Sequence, residues 1–171
     1  MKEETSKTLF GNQFSQIAWV VTDIERTAKF FQEVQGVSRF FKMENLQAKD
    51  LEGTYYGNPA DFEFHLYLAI SGGTMLELIQ PISGKSIYSD FLKNQNMGGV
   101  QHIAYSVRET DFEEAVGQLT EKGVKLIQTL VLPVAKVAYF DTYAQIGVAT
   151  EIIGLTEAGT QFMEQLNSGN Y

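Results

Sequence analysis

An internal duplication is the feature of this sequence that most constrains its fold. The segment QIAWVV at residues 16–21 has a counterpart, HIAYSV, at residues 102–107, 86 positions later. A predicted helix that stops at Gly36 has a counterpart that stops at Gly123, 87 positions later. Similarity at a nearly constant spacing indicates one structural unit that occurs twice and packs against its own copy. The two halves should therefore share one order of helices and strands.

The first half is predicted to contain a strand, a helix and three further strands. Alternating apolar and β-branched residues predict a strand over residues 14–21. A helix follows over about 24–35, and Thr22 or Asp23 can cap it. After a strand near residues 38–43 and a polar loop, a hairpin is predicted from FEFHLYLAI, the turn SGGT and MLELIQP.

The second half repeats this order. A strand over residues 102–107 precedes an amphipathic helix over about 111–122 and a strand near 124–129. A second hairpin is predicted from KVAYFDT and VATEIIG, and the tail TEAGTQFMEQL predicts a short terminal helix. The fold class is therefore α+β, with two βαβββ modules in tandem that form a curved mixed sheet. The predicted boundaries within a single domain, residues 1–171, are 14–82 for module 1, 99–155 for module 2 and 156–167 for the C-terminal helix.

Four polar side chains occupy corresponding positions in the two halves. Side chains alternate across a strand, so the small residues Ala18 and Ala104 share a face with Gln16 and His102, respectively. If this face is concave, these side chains converge on one cleft with two carboxylates from the final strands of the hairpins. An imidazole, two carboxylates and an amide oxygen suit a divalent ion. The predicted metal ligands are Gln16, Glu77, His102 and Glu151.

A structural interpretation of the same residues is also open. A single histidine in a strand is usually hydrogen-bonded without a metal, and Glu77 and Glu151 could lie on solvated faces. Two carboxylates buried close together are costly without a cation, however, because burial and mutual repulsion both disfavour their charged forms. The correspondence of all four residues across the repeat favours the metal site.

Composition excludes several classes of partner. The formal net charge is −8, and no cluster of Lys or Arg offsets it, so binding to nucleic acid or to an anionic membrane is disfavoured. The chain has no cysteine, which excludes disulfides and thiolate ligands. The charged start MKEETSKTLFGNQ does not resemble a signal peptide, and no later run could span a bilayer. A cytoplasmic location is the expectation from this composition.

Several segments resemble the vicinal oxygen chelate superfamily, which includes glyoxalase I and methylmalonyl-CoA epimerase. The segments are SQIAWVVTDIERTAKFF, MLELIQP, GGVQHIAYSV and GVATEIIG, and the resemblance covers roughly residues 14–154. The four predicted ligands are similar to the set of eukaryotic-type glyoxalase I. The run LELIQPISGKSIYSDFLKNQNMGGVQHIAYSV is more similar to the epimerases, which usually carry His where Gln16 stands and Gln where Glu77 stands.

The resemblance implies a metal-dependent isomerase, epimerase or lyase that removes a proton α to a carbonyl. It implies one divalent ion, for which Zn, Ni, Co, Mn and Fe all fit, and a small-molecule substrate such as a thioester or thiol adduct. Glu151 is the implied base by similarity to glyoxalase I, and Glu77 is a ligand or shares that role. His65 lies at the position most like another catalytic carboxylate of the epimerases, and a neutral imidazole there can serve as a general base. A structural role, in which His65 caps a surface strand pair, is equally open. Members of the family often dimerise, and the sequence neither supports nor excludes a homodimer.

Two other functions remain open from the sequence. Some superfamily members bind small molecules or antibiotics in the cleft without a metal, and they would have no need for four ligand-type residues. Extradiol dioxygenases of the superfamily use two histidines and one carboxylate, whereas the set predicted here has one histidine and two carboxylates. The enzyme interpretation is therefore preferred, with a metal-free binding protein as the alternative.

Overall fold

The fold is taken from a computed structural model, and the structure describes residues 9–169 and residue 171. The first repeat and the connection that follows it contain six strands, two helices and a short 3₁₀ turn. In chain order these are β1 (Phe14–Val20), α1 (Ile24–Glu33), β2 (Phe41–Gln47), the 3₁₀ turn Ala48–Leu51, β3 (Thr54–Tyr55), β4 (Asn58–Pro59), β5 (Phe62–Ser71), β6 (Thr74–Gly84) and the connecting helix α2 (Ile87–Asn94).

The second repeat has the same core order and ends in a helix. Its elements are β7 (Gly99–Arg108), the 3₁₀ turn Glu109–Asp111, α3 (Phe112–Glu121), β8 (Lys125–Leu132), β9 (Ala135–Asp141), α4 (Tyr143–Ile146), β10 (Ala149–Leu155) and α5 (Glu157–Ser168). The predicted order of strand, helix and three strands is therefore present in both halves.

The two repeats form one mixed sheet. Strand β1 pairs in parallel with β6 and antiparallel with β7, while β7 pairs in parallel with β10. The order across the sheet is β2-β5-β6-β1-β7-β10-β9-β8-β3-β4. The short β3 pairs with β8, so a segment of the first repeat extends the far edge of the second repeat. The predicted α+β fold with a curved mixed sheet is confirmed.

The apolar core shows which face of the sheet is concave. On the outer face, α1 and α3 cover two separate clusters, one for each repeat. On the inner face a single cluster contains residues of both repeats, as expected where a curled sheet brings its two halves together. The inner cluster also includes Tyr88 of α2 and Leu166 of α5. The inner face is therefore covered by these two helices.

The connecting helix α2 was not predicted from the sequence. The Ser86 hydroxyl accepts a hydrogen bond from the Ser89 N–H at 3.1 Å, and the Ser89 hydroxyl accepts one from the Ser86 N–H at 3.0 Å. These reciprocal bonds satisfy amides at the helix start that have no partner within the helix. Ile87 and Tyr88 are buried, so the helix is a fixed part of the inner face rather than a loose connection.

The C-terminal helix α5 is attached closely to the turn between β8 and β9. The N–H and the hydroxyl of Thr156 both donate to the Val134 carbonyl at 3.1 Å. A Cβ atom at Gly159 would lie 2.1 Å from that same carbonyl oxygen, so only glycine permits this approach. Farther along α5, Phe162 packs edge-on against Phe41, with ring centroids 5.0 Å apart. In the described residues, no helix has the length and apolar character needed to cross a membrane.

Candidate metal centre

Two small residues leave room for polar side chains at the centre of the sheet. Ala18 on β1 and Ala104 on β7 are fully buried, and each has a polar residue as its partner on both neighbouring strands. Because partners in a ladder lie side by side on one face, each alanine has two longer polar side chains beside it. The pairs are Ala18 with Glu77 and His102, and Ala104 with Glu151 and Gln16.

The structure brings together all four side chains predicted as ligands, and we call them the polar cluster: Gln16, Glu77, His102 and Glu151. Gln16 Nε2 lies 3.0 Å from an oxygen of each glutamate and 3.2 Å from His102 Nε2. His102 Nε2 is 3.0 Å from Glu77 Oε2 and 3.2 Å from Glu151 Oε2. All four residues are at most 5% exposed. The polar cluster is therefore buried between the two repeats.

These spacings fit a bound metal ion. Ligand atoms about 2.0–2.2 Å from a metal are separated by about 3.0–3.5 Å when they are adjacent around it. The nitrogen and oxygen separations of 3.0–3.2 Å agree with this, and candidate ligand atoms of Glu77, His102 and Glu151 all lie within 4.8 Å of one another. Rotating the Gln16 carboxamide by 180° exchanges Nε2 for Oε1 and presents an oxygen ligand. The buried His/Glu/Glu group can hold a metal ion.

Without a cation, the polar cluster binds protons in its place. Burial raises the pKa of Glu77, and the Glu151 charge adds to this, although the hydrogen bond from His102 opposes it. Burial lowers the pKa of His102, but the two carboxylates outweigh burial and raise it to about 9. The protonated imidazole thus supplies the positive charge that a metal would otherwise supply, because protons and metal ions compete for the same ligand atoms.

A β-bulge gives His102 a buried hydrogen-bond partner. Ala18 pairs with His102 and Trp19 pairs with Val100, so Gln101 is an extra residue in β7. Gln101 Oε1 lies 2.6 Å from His102 Nδ1, and because a carbonyl oxygen can only accept, Nδ1 carries the proton. His102 Nε2 therefore faces the polar cluster. Gln101 Nε2 in turn donates to the Tyr143 hydroxyl at 2.5 Å.

A cavity of about 70 Å³ lies between the polar cluster and α5, and we call it the inner cavity. Its polar lining consists of Gln16 and the two glutamates of the polar cluster together with Tyr88 and Tyr139. The other lining residues are apolar: Met43, Phe64, Leu66, Leu68, Met75, Leu130, Leu132, Val134, Ala135, Val137, Ile153, Leu155, Phe162 and Met163. A few convergent polar groups in an apolar cavity are typical of a small-molecule site.

The family comparison agrees with the fold. A family model described as the Glyoxalase/Bleomycin resistance protein/Dioxygenase superfamily matches residues 15–139, well over half of the chain. The chain belongs to this superfamily. It is the vicinal oxygen chelate superfamily whose motifs the sequence resembles, so that prediction is confirmed.

Several solved structures share the fold at low sequence identity. A hypothetical protein from Bacillus halodurans C-125 is 23% identical, with a TM-score of 0.61, over 84% of this chain and 94% of the other. Methylmalonyl-CoA epimerase from Mycobacterium tuberculosis is 15% identical, with a TM-score of 0.59, over 93% and 97% of the two chains. A Streptomyces coelicolor methylmalonyl-CoA epimerase in complex with 2-nitronate-propionyl-CoA is 19% identical, with a TM-score of 0.57, over 85% and 97%.

The structure does not bring His65 to the polar cluster. On β5 the side chains of Phe64 and Leu66 line the inner cavity, so His65 between them lies on the outer face. Its neighbour on that face, Tyr67, donates a hydrogen bond to Glu25 of α1, and His65 Nδ1 accepts one from the Asn45 N–H at 3.0 Å. This placement removes the geometric basis for His65 as a catalytic base in this superfamily member.

Sequence reasoning gave no role to Tyr139, and it did not consider Tyr88. Their hydroxyls are joined by a hydrogen bond of 2.8 Å, which Tyr88 donates. Burial raises the pKa of both phenols well above the ordinary value, and the nearby glutamates add to this, so both stay protonated. The Tyr139 ring also packs edge-on against His102, with centroids 5.2 Å apart. The signal for Tyr139 was its position beside Glu151 in the predicted hairpin, whereas Tyr88 lies on the helix that was missed.

Proposed function

We propose that the protein is a metal-dependent enzyme that removes a proton α to a carbonyl group, as an isomerase, epimerase or lyase. The observation that carries the proposal is the convergence of Gln16, Glu77, His102 and Glu151 at spacings of 3.0–3.2 Å in a buried site. Fold neighbours that include methylmalonyl-CoA epimerase support this reaction class. One divalent ion, Zn, Ni, Co, Mn or Fe, would be held by these four side chains.

A bound ion of this kind supplies a Lewis acid, which stabilises negative charge on a substrate oxygen by several kcal/mol. The side chains of the polar cluster have separate tasks beside it. Glu151 is the proposed base that takes the α-proton, because it lines the inner cavity with Tyr139 as its partner on the neighbouring strand. Glu77 lines the cavity from the other repeat, and burial makes its carboxylate more basic than usual.

An epimerase would need two proton-transferring groups in the inner cavity. Epimerisation requires one group to remove the proton and another to return it on the opposite side of the carbon. The side chains of β5 that line the cavity are Phe64, Leu66 and Leu68, and none of these three can transfer a proton. We therefore assign both proton transfers to Glu151 and Glu77. The apolar walls keep water away from the reacting carbon, which protects an enolate from wasteful protonation.

Metal analysis combined with proton exchange tests this function. Purified protein should contain about one divalent ion per chain. In deuterated water, NMR should show deuterium entering the α-position of an enolisable substrate. His102→Ala should remove both the metal and the exchange, whereas Glu151→Gln should abolish exchange and retain some metal. The matched control is His65→Ala on the outer face, which should change neither. A protein whose metal content is unaffected by His102→Ala would contradict the proposal.

The alternative is a metal-free small-molecule or antibiotic-binding protein of the same fold. It is favoured by the mutual hydrogen bonds of the polar cluster, which satisfy its side chains without an ion. It predicts ligand binding that a chelator such as EDTA does not change. Loss of binding or of exchange in EDTA, restored by one divalent metal, would favour the enzyme.

A further inference from the structure

A fully buried glutamine on β8 lies beside the two tyrosines of the inner cavity. Gln128 is the ladder partner of Tyr139 on β9, so the two side chains lie next to each other on the inner face of the sheet. The Gln128 Oε1 atom accepts a hydrogen bond of 3.1 Å from the N–H of Ile87, the first residue of α2. Tyr88 is the next residue of that helix. Gln128 is therefore held between the two elements that carry the phenols.

The contact with Ile87 fixes the orientation of the Gln128 carboxamide. A backbone N–H can only donate, so the amide atom beside it must be the oxygen and not the nitrogen. Nε2 is therefore the free end of the side chain. Among the described residues, it is the one buried side-chain nitrogen or oxygen that has no hydrogen-bond partner. Buried amide groups normally find an acceptor, because an unpaired donor costs free energy.

The Tyr88 hydroxyl is the acceptor that the surroundings offer to this free donor. Burial raises the pKa of Tyr88 and the two glutamates of the polar cluster add to this, whereas the nearby Gln128 amide opposes it. A neutral amide has this effect when its N–H groups face the phenol oxygen. The Tyr88 hydroxyl donates to Tyr139 at 2.8 Å, and in the described part of the chain its oxygen accepts no hydrogen bond. The Tyr88 oxygen therefore has lone pairs free to accept from Gln128.

The orientation of Gln128 decides the direction of the hydrogen bond between the tyrosines. Two hydroxyl groups can share a hydrogen bond in either direction. If the carboxamide presented its oxygen, Tyr139 would donate to Tyr88 and Tyr88 to Gln128, and no hydroxyl proton would be left for the cavity. Because Ile87 occupies that oxygen, Tyr88 has only Tyr139 as an acceptor in the described residues. The Tyr139 proton is then left for a group inside the inner cavity, which Tyr139 lines.

We propose that Gln128 is a positioning residue that directs the Tyr139 hydroxyl proton into the inner cavity. The Gln128 amide donates to Tyr88, Tyr88 donates to Tyr139, and Tyr139 donates to an oxygen of the bound substrate. Each donor in such a chain polarises the next, which strengthens the last hydrogen bond as negative charge forms on the substrate oxygen. The part played by the substrate rests on the proposed function, whereas the order of the donors is a property of the protein alone.

Neutron diffraction from deuterium-exchanged crystals of the wild-type protein tests the order of the donors without any reaction. Deuterium on Gln128 Nε2 should point to the Tyr88 oxygen at hydrogen-bond distance. The Tyr88 deuterium should point to Tyr139, and the Tyr139 deuterium should point into the inner cavity. A Tyr139 hydroxyl that donates to Tyr88 would overturn the proposal, and so would a Gln128 Nε2 atom that pairs with a different group.

A double-mutant cycle tests whether Gln128 acts through Tyr139. The probe is propane-2-nitronate, a small anion that resembles an enolate, and calorimetric titration of the metal-loaded protein measures its affinity. Gln128→Met keeps the size of the side chain, loses its hydrogen bonds and should weaken binding about threefold to tenfold. In a Tyr139→Phe background the same substitution should change the affinity less than about twofold, because the hydroxyl that it directs is absent.

Gln118→Met is the matched control for general damage. Gln118 lies on the outer helix α3 and, like Gln128, accepts a hydrogen bond from a backbone N–H, that of Leu9 at 3.0 Å. This variant should bind the nitronate like the wild type, and thermal unfolding shows whether each variant is folded. Equal weakening by Gln128→Met in both backgrounds would overturn the proposal, because Gln128 would then act on the fold alone. Wild-type protein that binds neither metal nor nitronate would defeat the proposed function, and the neutron structure would still decide the order of the donors.

Discussion

Replacing Gln101 with leucine should weaken metal binding although it removes none of the four proposed ligands. Gln101 is fully buried and bridges His102 Nδ1 at 2.6 Å and the Tyr143 hydroxyl at 2.5 Å. Leucine has a similar volume but cannot form hydrogen bonds, so the His102 Nδ1–H would lose its acceptor. The imidazole would then be free to rotate or to change tautomer, and Nε2 would no longer be held towards the polar cluster.

The magnitude follows from the burial of the groups involved. A buried donor that loses its only partner costs about 1–3 kcal/mol. This corresponds to about a fivefold to 150-fold change in affinity, since about 1.4 kcal/mol is tenfold. Changes to residues that orient a metal-binding histidine typically cost about 10–100-fold in metal affinity. We therefore expect the metal Kd of Gln101→Leu to rise by about 10–100-fold.

Competition against a chromophoric chelator measures this Kd, and two further variants separate positioning from general damage. Gln101→Glu keeps an acceptor for His102 Nδ1 and should restore affinity to within about threefold of the wild type. Tyr143→Phe removes only the outer hydrogen bond and should have a smaller effect than Gln101→Leu. Thermal unfolding of the metal-free proteins shows whether each variant folds. A folded Gln101→Leu protein whose metal Kd stays within twofold of the wild type would refute the reasoning.

Two further predictions concern protonation and the C-terminal helix. Because the pKa of about 9 keeps His102 protonated in the metal-free protein, metal binding at pH 7 should release protons, and the apparent affinity for the metal should rise as the pH approaches 9. Calorimetric titrations in buffers of different ionisation heat measure the protons released. A metal affinity that stays constant from pH 7 to 9 would contradict this prediction. Gly159→Ala should force α5 away from the Val134 carbonyl and lower the free energy of unfolding by about 1–3 kcal/mol. Gly117→Ala in α3 is the control, because an added Cβ there meets nothing within 4 Å, and it should raise the free energy of unfolding by about 0.5–1 kcal/mol. Equal unfolding temperatures in the two variants would argue against the close contact between Gly159 and the Val134 carbonyl.

The sequence was informative where the repeat imposed a second, independent constraint. Gln16 and His102 each lie in a strand with several apolar residues, and neither alone would indicate a ligand. Their equivalent positions, together with those of Glu77 and Glu151, were sufficient to predict that all four would meet. The prediction succeeded because strand alternation and curvature act in the same way on both copies. No similar cross-check existed for features that occur in only one repeat.

Three features of the structure were not predicted from the sequence, and each has an identifiable reason. Alternation predicts that Gln101 points away from His102, and only the bulge in β7 makes it a partner of the histidine ring. Helix α2 follows the last strand of the first repeat as α5 follows that of the second, but a helix was predicted from the sequence only for α5, so the buried Tyr88 was not placed. Strand alternation on β5 correctly placed His65 and Phe64 on opposite faces of the sheet. It could not show which of the two faces is concave. The apolar face is the concave one, and this excludes His65 from the cavity.

The duplication creates the site, but the differences between the two copies decide what the site can do. In ladder position, Glu77 and Glu151 are equivalent, yet Leu68 is the cross-strand partner of Glu77 while Tyr139 is the partner of Glu151. The second copy thus has a hydrogen-bond donor beside its carboxylate, and the first copy has an apolar wall. In the proposed reaction, a substrate oxygen that accepts a hydrogen bond from Tyr139 would hold the neighbouring carbon near Glu151. This asymmetry, more than the metal ligands themselves, is why we assign proton removal to Glu151 and a secondary role to Glu77.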